Sequence, residues 1–248
     1  MLSVVRAGTD LGPVFEAARE FGLPETCRFV TGTLDQYAGA IGTGAVRPGD
    51  VCQTTGTVLA AVRCSDRLEN RPEIFQGPSF DPNRFFQMAF SSTSANLLDW
   101  YRSRLPGAPS YDELTRWAFE APESDLVIEP YADCGSLDES FRHVRSEHTP
   151  GQVVRAVMQR VAQSLAEQID ALSEWGRPIE IRSAGGAARN DLWLQIKADT
   201  LGVPFVALES EEPTSLGAAM LAASAVGLGD INTLARQWVK VRKRFDPK

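Results

Sequence analysis

Histidine is nearly missing from this chain: His143 and His148 are the two it has, five residues apart in a polar stretch. With them go an HExxH metal site and any histidine-based nucleophile relay, and both read better as surface imidazoles. Cysteine is sparse too. Cys27, Cys52, Cys64 and Cys134 lie far apart with no CxxC pair, so neither a zinc site nor a disulfide framework is signalled, and a reducing cytoplasm fits best. No apolar run approaches the roughly 20 residues of a membrane-spanning helix, and the N-terminus, MLSVVRAGTDLG, lacks the apolar segment of a secretory signal. Positive charge is short as well: 25 Lys and Arg against 32 Asp and Glu leave a net charge of −7, the wrong sign for gripping a nucleic-acid backbone. The basic run Val239-Lys240-Val241-Arg242-Lys243-Arg244 therefore reads as a solvated face. Three glycine signatures are also absent. There is no GxxxxGK[ST] phosphate loop, no GxSxG elbow, and SAGGAARN does not fit GxGxxG, which disfavours a dinucleotide-binding oxidoreductase.

What is present is a soluble globular composition, 43% hydrophobic over 248 residues, enough for one large domain or two small ones. Strands and helices alternate along it. A turn at Ala7-Gly8-Thr9-Asp10 and a helix over Pro13–Phe21 come first, and Phe29–Leu34 reads as a strand before a small-residue helix, Gln36–Ile41. Val51–Thr57 and Val58–Arg63 form a hairpin around Thr55-Gly56-Thr57. The stretch 69–87 is irregular apart from a short strand near Phe85–Phe90, and Ser94–Ser103 and Tyr111–Phe119 read as helices. Leu126–Ile128 reads as a strand and 132–147 as a polar loop. Thr149-Pro150 caps the longest helix, whose apolar positions from Val154 to Leu172 recur at helical spacing. Strands at Pro178–Ala184 and Val203–Leu208 then alternate with helices over Asn190–Leu201, Thr214–Val226 and Ile231–Trp238. No internal repeat is visible.

Asp35 stands where the Phe29–Leu34 strand gives way to a helix, and ligands in open α/β sheets bind beyond the carboxyl ends of strands. An acid there could work on a substrate, or it could simply cap the helix. Two glycine turns, Thr55-Gly56-Thr57 and Ala184-Gly185-Gly186-Ala187, could likewise offer backbone N–H groups to a phosphate, or exist for steric reasons alone. The second leads into a helix, whose N-terminus favours anions. An acid, two phosphate-friendly turns at strand ends of one sheet and no protein metal site suit phosphoryl transfer from a Mg-nucleotide to a hydroxyl.

Four segments in order resemble the C-terminal lobe of the FGGY family of carbohydrate kinases, members of the actin-like, ribonuclease-H-like ATPase superfamily. They are FVTGTLDQYAGAIGTG (Phe29–Gly44), TTGT (Thr54–Thr57), SAGGAARNDLW (Ser183–Trp193) and EPTSLGAA (Glu212–Ala219). The resemblance spans nearly the whole chain and implies an α/β fold with a mixed sheet and helices on both faces. Residues 1–27 would be a connector entering the lobe and 28–248 the nucleotide-binding lobe, while the family's N-terminal sugar-binding lobe has no counterpart in this sequence. It further implies Asp35 as catalytic base, with Gln36 beside it contacting the sugar or polyol. Thr55, Gly56, Thr57, Gly185, Gly186, Ala187 and Asn190 would contact ATP accompanied by Mg2+, although Ala187 stands where a third glycine is common. Expected partners are a sugar or polyol and a nucleotide, together with a second copy of the chain or a separate first-lobe chain. One lobe cannot close a cleft, so the chain alone is expected to bind nucleotide weakly and to transfer phosphoryl slowly or not at all. The alternative is a non-catalytic nucleotide-binding or interaction module derived from such a kinase.

Overall fold

The computed structural model describes residues 4–69, 71–174 and 176–248. The chain opens with strand β1 (Asp10–Pro13), helix α1 (Phe15–Glu20) and strand β2 (Arg28–Val30), then runs through α2 (Asp35–Thr43), β3 (Val51–Thr55), β4 (Leu59–Ser65), β5 (Phe75–Pro78) and β6 (Phe85–Ser91). Four helices follow: α3 (Asn96–Arg102), α4 (Tyr111–Glu120), α5 (Leu137–Ser140) and α6 (Pro150–Ala171). The last part is β7 (Ile181–Ala184), α7 (Asp191–Leu201), β8 (Phe205–Leu208), α8 (Pro213–Ala225), α9 (Ile231–Trp238) and β9 (Val241–Phe245).

Seven strands form one mixed sheet in the order β5-β6-β4-β3-β7-β8-β9, in which β3, β7 and β8 run parallel and the other pairings are antiparallel. Side chains alternate between its two faces, as a pleated strand requires. Val51, Leu59, Ala61, Ile181 and Phe205 point into a core shared with α3, α4, α6 and α7. Cys52, Val62, Cys64 and Phe86 point the other way, against α2, α8 and α9. The mixed sheet with helices on both faces is thus as expected. Helix α6 has the expected start as well: Thr149 and Gln152 form a reciprocal capping box and Pro150 occupies the first turn.

Helices α2 and α8 meet backbone to backbone. A Cβ on Gly42 would lie 1.7 Å from Pro213 O, and one on Gly217 would lie 1.9 Å from Ala38 O. Glycine is therefore required at both positions, by contact rather than by torsion. The small residues of α2 thus serve chiefly to let it approach α8.

Five expectations need correction. Strand β2 is only Arg28–Val30 and pairs with β1 in a separate two-stranded ribbon, so Asp35 does not sit at a strand end of the main sheet. Pro13 ends β1 instead of opening a helix. Strand β5 lies in the stretch expected to be irregular; Pro78 is tolerated there because β5 is an edge strand with no further neighbour to bond. Leu126–Ile128 is not a strand: Leu126 and Ile128 are buried against the α3/α4/α6 core without joining a ladder. The loop 132–147 contains the short helix α5, capped by Ser136. The basic tail, although solvated as expected, is the edge strand β9, its charges paired with Asp191, Glu180 and Asp246.

Gly42→Ala is expected to destabilise the protein by at least about 2 kcal/mol, since the new methyl group must push two helix backbones apart. Urea unfolding measures this, and a loss below about 0.5 kcal/mol would mean that the α2/α8 contact yields freely.

Candidate functional site

The parallel pairing of β3 with β7, in register from Val51↔Ile181 to Thr54↔Ala184, brings both glycine turns out at the same sheet edge. Thr55, the last residue of β3, is buried, and beyond it Gly56 is half-buried and Thr57 exposed. The Gly56 carbonyl accepts from Ser94 Oγ at 2.7 Å and from the Ala95 N–H at 3.1 Å, which anchors this turn to the segment opening α3. After β7, Gly185 adopts φ 80° and ψ 178°. A Cβ there would lie 3.1 Å from Thr54 Cγ2, so both the torsion and the close approach to β3 favour glycine. The chain then makes one 3-10 turn, Gly186–Arg189, before α7. Asn190 caps α7 by accepting from the Trp193 N–H at 3.0 Å, while its Nδ2 donates to Thr115 Oγ1 of α4 at 2.8 Å.

Beneath the two turns lies a buried polar chain. The Lys197 Nζ donates to Thr55 Oγ1 at 2.6 Å and to Gln53 Oε1 at 3.3 Å. Thr55 Oγ1 donates to Gln53 Oε1 at 2.8 Å, and Gln53 Nε2 donates to Ser183 Oγ at 3.0 Å. Lys197 is 0% exposed, and its amine lies 5.2 Å from the centre of the Trp193 ring. Burial pushes its pKa down from the ordinary 10.5 to about 7.

A cavity of about 1160 Å³ opens above these turns. Thr55, Gly56, Thr57, Gly186, Ala187 and Asn190 all line it, so six of the expected contact residues come together. Tyr111, Thr115 and Phe119 of α4 also line it, as do Lys243, Arg244 and Lys248. Gly185 lines a separate small cavity of about 70 Å³. Asp35 and Gln36 line neither. Asp35 is exposed as the first residue of α2, and its Oδ1 accepts the Gln36 N–H at 2.7 Å. It is not the helix cap, a position held by Leu34 without a side-chain bond. Asn190, expected to contact nucleotide, already spends its amide on α7 and α4. Its place on the cavity wall is thus structural as well.

The family model for "FGGY family of carbohydrate kinases, C-terminal domain" matches residues 22–226. The chain belongs to the FGGY family. This FGGY chain is 29% identical over 247 residues to the xylulose kinase of Bacillus subtilis, covering 93% of the chain and 49% of that protein. Over 103 residues it is 44% identical to the glycerol kinase of Koribacter versatilis, covering 40% of the chain and 20% of that protein. Among solved structures, ligand-bound xylulose kinase from Lactobacillus acidophilus superposes with a TM-score of 0.86 at 22% identity, over 99% of this chain and 53% of that one. Plasmodium falciparum glycerol kinase with ADP gives 0.77 at 16% identity, over 98% and 51%. The FGGY chain thus spans about half the length of these relatives, and its fold is the actin-like ATPase fold of those neighbours.

Sequence reasoning missed the interior of the FGGY site. Lys197 falls four residues after Trp193 and four before Leu201, both buried on one side of α7, so a lysine inside an apolar stripe was the available signal. Nothing local pointed to Gln53, Ser183 or Thr115 as its neighbours or as the tie to α4.

The Lys197 pKa has a consequence for stability. Between about pH 7 and 10.5 the unfolded chain holds a proton on this amine that the folded chain has released, so its contribution to stability rises with pH across that window and is level below it. Relative to Lys197→Met, the wild type is expected to gain at most about 1.4 kcal/mol per pH unit from pH 7 upward. Urea unfolding of both proteins at several pH values checks this, and a difference independent of pH would refute it.

Proposed function

We propose that this chain is the nucleotide-binding half of an ATP-dependent carbohydrate kinase that passes the γ-phosphoryl group of a Mg-nucleotide to a sugar or polyol hydroxyl. The observation that carries the reading is the convergence of Thr55-Gly56-Thr57 and Gly186-Ala187 on one rim of a cavity large enough for a nucleotide. Small residues at both turns let backbone N–H groups approach phosphate oxygens, and the exposed Thr57 hydroxyl adds a donor. Xylulose and glycerol kinases among the relatives favour a ketose or polyol as acceptor. Among the described residues no cluster of three or more His, Cys, Asp or Glu is arranged to hold a metal, so Mg2+ would arrive with the phosphates. There it would offset charge developing on the phosphoryl oxygens.

Asp35 is the proposed base. Its carboxylate would accept the acceptor hydroxyl's proton as that oxygen approaches phosphorus, with Gln36 beside it to orient the sugar or polyol. Orientation supplies roughly 7–11 kcal/mol in such reactions, and Asp35 lies outside the nucleotide cavity. The acceptor must therefore be held by further surface, which is why the chain alone is expected to transfer phosphoryl slowly or not at all. The exposed Leu11, Phe15, Phe21, Leu23, Phe29 and Leu34 around α1 and β2 form apolar surface that a first lobe or a second copy of the chain would cover. Among the described residues no helix is long and apolar enough to cross a membrane. An ATP-dependent kinase belongs with its nucleotide in the cytoplasm. A second reading, a nucleotide-binding module without transfer, draws on the same displacement of Asp35 from the cavity.

Gly186→Val tests the nucleotide site. A Cβ at Gly186 meets nothing within 4 Å, so the variant is expected to melt within a degree or two of wild type yet bind Mg-ATP at least about tenfold more weakly by calorimetry. Unchanged affinity would remove the site from this cavity. Asp35→Asn separates the two readings: in the kinase, with its acceptor-binding surface present, kcat is expected to fall about 10²–10⁴-fold with nucleotide affinity unchanged. An undiminished kcat would exclude Asp35 as base.

A further inference from the structure

Among the described residues the Lys197 amine has only neutral partners. From β3 these are Thr55 and Gln53, from β7 Ser183 by way of Gln53, and from its own helix the Trp193 ring. The charged groups on the surrounding elements are engaged elsewhere. On α7, Asp191 pairs with Arg242 and Lys243 of β9, and Asp199 accepts from Gln195 and the Lys248 N–H. On α6, Arg155 bonds the Ala118 carbonyl, Arg160 pairs with Glu167, and Asp170 pairs with Arg177. Arg182 of β7 bonds the Thr43 carbonyl on the α2 side, Arg244 pairs with Glu180 and Asp246, and β8 carries no charge. Burial is the one influence that moves the amine's pKa.

A buried ammonium with no anion is costly, and proteins either keep such an amine neutral or supply a counter-charge. Among the described residues no side chain supplies one. Two of the groups the amine approaches also line the cavity: Thr55, which takes the Lys197 hydrogen bond, and Trp193.

We propose that Lys197 is the buried counter-charge for a phosphate group seated at the Thr55-Gly56-Thr57 turn, so that binding of a polyphosphate anion in the cavity draws a proton onto the amine. The proton comes from solvent and lands on the Nζ lone pair. The existing hydrogen bonds to Thr55 and Gln53 stay in place. No bond to the ligand forms or breaks. Lys197 is then a positioning residue: it touches no ligand atom and acts as a positive charge behind Thr55, whose own hydroxyl proton stays on Gln53. A pKa of about 7 in the free protein leaves the amine mostly neutral at pH 8, which makes the uptake measurable there. The inference rests on the nucleotide reading only for which anion occupies the turn.

The test is calorimetric titration of the wild-type chain at about pH 8 in two buffers of different ionisation enthalpy, with excess Mg2+ present so that both polyphosphates are already fully ionised. Mg-ATP and inorganic tripolyphosphate are the two probes. Uptake approaching one proton per anion bound is expected, with wild-type affinity falling up to about tenfold per pH unit above 7. Lys197→Met is expected to bind more weakly, with no uptake and a flat pH profile; if circular dichroism shows it unfolded, Lys197→Gln takes its place. Binding without proton uptake, equal uptake by the variant, or no binding of either probe would overturn the proposal. Tripolyphosphate binding with uptake while Mg-ATP fails to bind would uphold it and overturn the nucleotide reading. Mg-ATP binding without uptake would do the reverse.

Discussion

The parallel ladder between β3 and β7 is the contact on which the site depends. Parallel strands finish at the same edge, so the turns that follow them emerge side by side although Gln53 and Ser183 stand 130 residues apart in sequence. Such pairing needs a long crossover, and β4 to β6 with helices α3 to α6 provide it. The price of holding two distant strands in register is met by burial on both faces. Gly185 then has to be glycine for a reason that lies across the ladder, the approach of Thr54, and the Lys197–Thr55–Gln53–Ser183 chain fastens the two strands from below.

What could be read in the sequence was what local chemistry decides. The Thr149–Gln152 capping box, the helical stripe of α6, the hairpin around Gly56 and the glycine turn after Ala184 are each written within a few neighbouring residues. The convergence of Thr55, Gly56, Thr57, Gly186, Ala187 and Asn190 on one cavity followed from resemblance to an ordered set of family segments, since no single turn specifies it. Illegible were features set by partners far along the chain. Nothing near Arg28–Val30 says that it pairs with Asp10–Pro13 and leaves the main sheet, nothing in the basic tail says that β8 needs an edge partner, and Phe75–Pro78 becomes a strand only because β6 offers it a ladder. Lys197 was visible as a polar residue at an apolar position, but its partners belong to strands folded over it.

The two elements of the proposed site sit on different layers of the sandwich. The cavity lies on the side of α4 and α7, whereas Asp35 begins α2, which packs with α8 and α9 on the opposite face. On the proposed reading the sheet edge at Gly56 and Gly185 is where the layers meet, with the nucleotide approaching from one side and the acceptor hydroxyl from the other. On that reading the division accounts for an exposed Asp35 and a buried Thr55. A group that must receive a proton from a second substrate gains from access, and a group that shapes a phosphate-binding turn gains from being locked.

Placement of Asp35 then rests on the α2/α8 contact more than on anything near the acid itself. With Gly42 against the Pro213 carbonyl and Gly217 against the Ala38 carbonyl, backbone meets backbone, and no flexible side chain lies between to absorb an error. Helix α8 begins shortly after β8, the parallel neighbour of β7, so its position is keyed to the same part of the sheet that presents Gly185 and Gly186. The acid and the second glycine turn are thereby measured from one frame. A shift of the order of 1 Å in a reacting group can cost about a hundredfold in rate, and if Asp35 is the base, as proposed, a glycine-only helix contact is a way to keep such a shift out of a carboxylate that has no wall of its own.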